Sequence, residues 1–272
     1  MTADQTTRRI EEPSLSDSGR LRRFINSPNA VRLLSLLIVL TAWELYGRTN
    51  ALFASYPTAV VEAAIRTMMD SVLPAFRATL LGFSVGFAIA APLGILIGLV
   101  LARVRVIDIA LTPFMMAIYS TPRITLIPLL VLWLGIDFKL RVVIVALSAI
   151  FPIIINVYAG VKAVEGDLLE VGRAFTATRR QELSTIVIPG SLPFVFTGLR
   201  IGLARALGGV VTAELTAAVV GIGRLILDSA RFLRLDEMFV PLILLGLFSI
   251  ALTALLGYIQ RKAMPWHRAE GQ

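Results

Sequence analysis

The 272 residues are 57% hydrophobic and only 16% charged, with a formal net charge of +8 and a mean hydropathy of +0.81. A soluble domain of this length breaks its apolar residues into amphipathic stripes, whereas here they form runs able to cross a bilayer, for which about 20 helical residues suffice. With no cysteine in the chain, disulfides and thiolate metal sites are excluded.

Residues 1–29 are polar, with Pro13, Pro28 and scattered Ser and Arg, and are expected to be a cytoplasmic tail ahead of a membrane domain over 30–272. The first apolar run, Val31–Tyr46, is followed by no small-residue cleavage site and reads as a retained span. Pro57-Thr58 opens a short amphipathic helix at the interface. A second span covers Phe76–Leu101, with Pro92 as its expected kink. The third, Val106–Leu134, is interrupted by Ser120-Thr121-Pro122-Arg123. The fourth runs over Leu140–Val161, the fifth over Ile186–Val220 and the sixth over Met238–Ile259. These runs lack the alternation of strands, and backbone in lipid must satisfy its own polar groups, so the expected fold is all-α with six transmembrane helices.

The basic residues fix the expected orientation. With both termini cytoplasmic, the inner segments hold fifteen Lys and Arg and the outer segments eight. Such a bias is the mark of an N-in, C-in topology, and it accounts for the net charge without nucleic acid.

Between the fourth and fifth spans lies EGDLLEVGRAFTATRRQELSTIVIPGSLP, residues 165–193. It is too polar for hydrocarbon and too helix-friendly for a loose loop. Leu168, Gly172 and Phe175 share one helical face, broken up by Glu170, Arg173, Arg179, Arg180 and Glu182. A short cytoplasmic helix with that mixed surface suits a groove on a soluble partner; an interfacial helix without a partner is the alternative.

Glu170, Ile186, Ile188 and Pro189 stand at the spacings of the EAA signature of ABC-importer permeases, which this segment resembles. The continuation PGSLPFVFTGLRIGLARALGGVVTAEL, the tract IPLLVLWLGI at 127–136 and the Met-Pro-Trp-His ending at 264–267 are similar to the sulfonate/taurine/nitrate subgroup. The signature's two alanines are Val171 and Gly172 here, and its glycine is Thr176. A β-branched Thr does not take positive φ cheaply, so either the bend is made differently or the helix continues through Thr176.

The resemblance implies the type I ABC importer permease fold, in the inner membrane of a bacterium. It also implies a homodimer working with two ATPase subunits and an extracytoplasmic solute-binding protein, with a sulfonate, taurine or nitrate-like anion as cargo. By the same carry-over, Glu170, Gly172, Thr176, Ala177 and Pro189 mark the ATPase-docking element, a coupling helix over about 166–182. No cofactor is expected on this chain, since magnesium and ATP belong to the ATPase subunit.

The residues agree that the motor lies elsewhere. Lys139, Lys162 and Lys262 are followed by Leu, Ala and Ala and none follows Gly, so no phosphate-cradling Gly-Lys-Ser/Thr loop exists. An intramembrane enzyme would need a nucleophile–base pair or a metal cluster, yet the sole histidine is His267 in the C-terminal tail. Energy must come from another polypeptide or an ion gradient. A gradient-driven carrier would show midplane ionisable residues and internal repeats. Glu214 and the Thr121-Pro122 break fit that in part, but no convincing repeat is present.

Four further positions have two readings each. Glu214 is either an outer gate or half of a structural ion pair, with Arg224 or another outer arginine as partner. Arg200 and Arg205 either snorkel to the inner headgroups or line a path for anions. Arg123, beside the break, either meets an anion or bonds freed carbonyls. Gly208-Gly209 is a flexing point, glycine weakening a helix by up to about 1 kcal/mol relative to alanine. Glu44 and Arg48 have the spacing of an interfacial pair, and Gly82/Gly86, Gly94/Gly98 and Gly198/Gly202 have that of close helix contacts.

Overall fold

The structure, a computed structural model, describes residues 28–50, 54–164, 166–217 and 220–266. The predicted tail lies outside the described residues, apart from Pro28 and Asn29. Every described element is helical, and the chain falls into two compact units, Met1–Ala59 and Val60–Gln272.

In the first unit, α1 (Pro28–Thr49) leaves Leu33, Leu36, Leu37 and Val39 exposed all round its circumference, as a helix bathed in lipid does. Its end is fastened to the following turn. Trp43 Nε1 donates to the Ser55 carbonyl at 2.7 Å, and Glu44 accepts from the Thr58 hydroxyl at 2.7 Å and from Arg48 Nε at 2.7 Å. The Glu44–Arg48 pair read from sequence is therefore present, with Thr58 as an additional partner.

The second unit is built on long helices joined by short ones. α2 (Pro57–Thr67) passes through a π turn (Met68–Val72) into α3 (Leu73–Arg103). α4 (Arg105–Ser120), a 3₁₀ turn (Arg123–Leu126) and α5 (Ile127–Leu134) follow, then α6 (Phe138–Lys162). α7 (Gly166–Ala174), the single turn α8 (Arg179–Gln181) and a π turn (Glu182–Val187) lead into α9 (Ile188–Ala217), followed by α10 (Ile222–Arg231) and α11 (Leu235–Ala263).

Glycine spacing sets the core. α6 is clasped between α3 and α9, and each neighbour approaches it through glycines. A Cβ on Gly86 would come within 2.6 Å of Val145 Cβ, one on Gly94 within 2.8 Å of Ile153 Cγ2, and one on Gly98 within 2.8 Å of Val157 Cβ. From α9, Gly202 meets Ile153 and Gly198 meets Asn156 in the same way. The three glycine pairs seen in the sequence thus all face α6. Phe83, Ala90, Ala149, Leu203, Ala206 and Val210 fill the remaining space.

That register fixes the number of crossings. Gly86, Gly94 and Gly98 meet successively later residues of α6, so α3 and α6 run parallel. Gly198, Gly202 and Gly209 meet successively earlier ones, so α9 runs antiparallel to both. Two consecutive parallel helices need a return between them, and α4 with α5 supplies it. This pair passes the length and hydropathy test only as a unit, bent by 88° at the break. With α1 the spans number six, and the third is broken where Ser120–Arg123 predicted.

Both ends of the bundle are clamped by ion pairs. At the end where α6 gives way to α7, Asp108 of α4 takes Lys162 Nζ and the Tyr158 hydroxyl, each at 3.1 Å. At the other end, Arg66 reaches Asp236 at 3.0 Å, tying α2 to the start of α11.

Candidate functional site

Three arrangements carry chemistry: an exposed elbow between α6 and α9, a cavity at the break of the third span, and a buried charge pair at the far end of α9.

The elbow begins with α7, which stops at Ala174 because Thr176 adopts the left-handed conformation, φ 56°. The Thr176 amide donates to the Arg173 carbonyl at 2.9 Å and the Ala177 amide to the Gly172 carbonyl at 3.0 Å, closing a Schellman-type end. Neither expectation at Thr176 holds: the helix does not continue, and the bend is made at Thr176 itself with positive φ. The chain accepts left-handed strain at a β-branched residue, about 1–2 kcal/mol by general sterics. Thr178 then opens α8 with a capping box, its hydroxyl and backbone exchanging hydrogen bonds with Gln181. The π turn ends just before Pro189, where a helix widens around a residue with no N–H.

Glu182 locks this geometry. It is 5% exposed and accepts Arg173 Nε of α7 at 3.2 Å, with Arg103 Nη2 at the end of α3 at 3.9 Å. A buried carboxylate with two cationic neighbours holds the elbow to both α7 and the α3–α4 turn. Gly172 lies under Ile186, whose Cδ1 a Cβ there would meet at 2.9 Å. The outer face of α7 is left bare: Leu168, Glu170 and Val171 are exposed, and Phe175 is 82% exposed. An apolar patch beside charged residues is thus presented on a rigid, capped element.

The cavity measures about 570 Å³ and lies between α6, α9 and the broken span. Around the break, hydroxyls add hydrogen bonds to backbone carbonyls, and at Ala117 the Thr121 hydroxyl stands in for the Thr121 amide, which donates to Ile118 instead. Ser120 Oγ donates to Met116 O at 2.8 Å, Thr121 Oγ1 to Ala117 O at 3.0 Å and Thr125 Oγ1 to Pro122 O at 2.5 Å. The Arg123 side chain lies outside the described atoms, so neither of its readings meets an observation. α9 contributes a helical stripe, Ala204, Arg205, Gly208, Gly209 and Thr212, and α6 contributes Ile144 and Ser148.

Gly208 and Gly209 turn out to be unlike. A Cβ on Gly208 meets nothing within 4 Å, whereas one on Gly209 would strike Ser148 Oγ at 2.5 Å and Ser148 Cβ at 2.9 Å. Gly208 borders open space and Gly209 is a packing glycine. The arginines also separate. Arg200 donates to Gln260 Oε1 at 3.0 Å, while Arg205 lines the cavity. Arg205 sits well inside α9. It lies about 26 Å from Ile188 and about 18 Å from Ala217 at 1.5 Å per residue, more than three turns from either end.

Glu214 is fully buried and does not line the cavity. Its carboxylate accepts the Thr79 hydroxyl at 2.8 Å and the Gly223 amide at 2.9 Å, and faces Arg141 Nη1 at 3.7 Å. Arg141 Nη1 also donates to the Ala78 and Val220 carbonyls, at 2.9 and 2.8 Å. Four elements meet there: α3, α6, α9 and α10. The turn into α10 needs glycine, since Gly221 has φ 154° and a Cβ would overlap the Glu214 carboxylate. Of the two sequence readings, the ion pair is the one seen, but its partner is Arg141. Arg224 instead pairs with Asp228 at 2.7 Å. Thr79, Arg141, Glu182 and Arg205 were not singled out from sequence as a set. A polar residue inside or at the edge of an apolar run was the available signal for Thr79, Arg141 and Arg205, whereas Glu182 stood among other charges of the polar segment.

Residues 90–266 match the family described as binding-protein-dependent transport system inner membrane component. A Bacillus subtilis protein named as an aliphatic sulfonates transport permease is 26% identical over 243 residues, 87% of each chain. The taurine transport system permease protein of Escherichia coli is 28% identical over 242 residues, 86% of this chain and 88% of that one. Among solved structures, the inward-facing MetNI methionine ABC transporter matches with a TM-score of 0.55 at 19% identity. It covers 74% of this chain and 96% of that one, a likeness of fold.

Proposed function

This chain belongs to the binding-protein-dependent transport system inner membrane components, and we propose that it is the permease subunit of an ATP-driven ABC importer, carrying a small anion through its cavity by alternating access. The cargo class rests on the sulfonate and taurine relatives. Two copies of the chain work with two ATPase subunits, which bind ATP and magnesium, and with an extracytoplasmic solute-binding protein. The assembly sits in the bacterial inner membrane with both termini cytoplasmic, which puts the α7–α8 elbow on the cytoplasmic side.

The observation that carries this reading is the elbow. A capped helix with a bare apolar-and-charged face, tied through Glu182 to the end of α3, is a surface for receiving force from another protein. In this reading Glu170, Gly172, Thr176, Ala177 and Pro189 form the docking element. Closure of the ATPase pair on ATP moves the elbow as a rigid body, and the spans follow. A gradient-driven carrier has no use for such an element.

Reversing the charge at Glu170 (Glu170→Arg) is expected to leave membrane insertion intact while separating ATP hydrolysis from solute uptake in the reconstituted complex. Uptake at the wild-type rate would remove the docking assignment.

A further inference from the structure

We propose that Arg205 forms an oxyanion-binding site inside the cavity of this chain, so that the permease itself, and not only its binding protein, selects a negatively charged solute. This deepens the reading above and rests on it for the direction of transport, but the site stands on the cavity's own geometry.

Arg205 is the one charged side chain among the described residues lining the cavity. It has no ion pair and no hydrogen bond among the described residues. The other charged residues of the second unit that sit deep in the bundle are neutralised. Glu214 has Arg141 at 3.7 Å, and Asp108 has Lys162 at 3.1 Å. A lone guanidinium more than three turns from either end of its helix is costly unless it is wetted or paired. Among the described residues of the cavity wall there is no carboxylate.

The polar groups around it sort by what they offer. The hydroxyls of Ser120, Thr121 and Thr212 already donate to helix carbonyls, at 2.8, 3.0 and 2.7 Å. They contribute lone pairs, not protons. Ser148 makes no hydrogen bond among the described residues, so its hydroxyl is available as a donor. Gly208 leaves open the space beside Arg205, with nothing within 4 Å of where a Cβ would stand. The cavity, of about 570 Å³, thus combines a forked cation, the Ser148 hydroxyl and room for a small solute, with Tyr119 also in its wall. A guanidinium offers two parallel N–H donors, which match two oxygens of a sulfonate, carboxylate or nitrate. A neutral molecule of the same shape loses the attraction between opposite charges that strengthens those two bonds.

The test uses the purified complex of this chain with its ATPase, without binding protein, and ethanesulfonate as probe in a calorimetric titration. Wild type is expected to bind ethanesulfonate and to ignore its uncharged analogue ethanesulfonamide. Arg205→Gln should weaken ethanesulfonate binding by about tenfold or more, the loss of a charge-assisted hydrogen bond. Arg205→Lys should fall between, because it keeps the charge and loses the fork. Equal binding by wild type and Arg205→Gln, equal binding of the sulfonamide, or no binding of the sulfonate by wild type would each overturn the site. ATP-driven uptake of ethanesulfonate by the full complex with binding protein is measured in parallel. Binding without uptake leaves the site standing and removes the importer reading, and uptake with no Arg205-dependent binding does the reverse.

Discussion

Glu214 and Arg141 meet 3.7 Å apart with both side chains withdrawn from water, across the junction of α9 and α6. The contact is more than a pair. Thr79 donates to the carboxylate and accepts the Ile222 amide at 2.8 Å, so the turn after α9 hangs on the same cluster.

Removing one member should therefore be felt across four helices. Truncating one side of a buried pair costs about 3–5 kcal/mol. The lower end applies here, because Arg141 keeps two carbonyl acceptors. Glu214→Ala is expected to lower the unfolding temperature of the detergent-solubilised chain clearly. Glu214→Gln, which can still accept from Thr79 or Gly223, should lower it less. Equal, negligible shifts in a thermal unfolding assay would show that the cluster does not hold the bundle end.

Gly208 and Gly209 should respond in opposite ways. Gly208→Ala meets open space and gains up to about 1 kcal/mol of helix propensity, so folding is preserved or improved. Gly209→Ala collides with Ser148, and overpacking of that kind costs about 1–3 kcal/mol. Adding Ser148→Gly should recover much of the loss. Thermal unfolding of the three variants checks this. Gly208→Ala alone then tests whether flexing at this level matters to uptake, free of the clash.

At the elbow, Thr176→Gly should relieve the left-handed strain and stabilise the end of α7 by about 1 kcal/mol. Slower hydrogen exchange at the Ala177 amide, which donates to Gly172, is the direct measure. Thr176→Pro should do the opposite, since its ring fixes φ near −65° and removes the amide that donates to Arg173.

Glu182→Gln weakens both the Arg173 and the Arg103 pairs while leaving the outer face of α7 unchanged. ATPase binding should persist in a pull-down, and ATP hydrolysed per solute imported should rise. Were the ratio unchanged, the link between the elbow and α3 would not carry the motion. Glu170→Arg alters the exposed face itself, so comparing the two variants separates docking from transmission.

Much of this architecture was legible before any coordinates. Six apolar runs, the interruption at Thr121-Pro122 and the charged segment between the fourth and fifth runs all survive as helices, break and elbow. The start of α6 moved outward, to Phe138 instead of Leu140, because capping by Asp137 extends a helix past its apolar run, whereas α9 is shorter than the fifth run expected over Ile186–Val220. The glycine pairs could be found as a pattern, but not the helix they face.

Local chemistry therefore settled what each stretch of chain could be: hydrophobicity over about 20 residues forces a spanning helix, although proline alone does not mark a break, since Pro92, Pro113, Pro152, Pro193 and Pro241 all lie inside continuous helices. Pairing across the bundle was beyond it. Arg141 as the partner of Glu214, Ser148 against Gly209, and Arg205 in the wall of a cavity all depend on the parallel register of α3 and α6 and the antiparallel run of α9. Such contacts join residues far apart in the chain. Periodicity places a side chain on a face of its own helix, but only packing decides what that face meets.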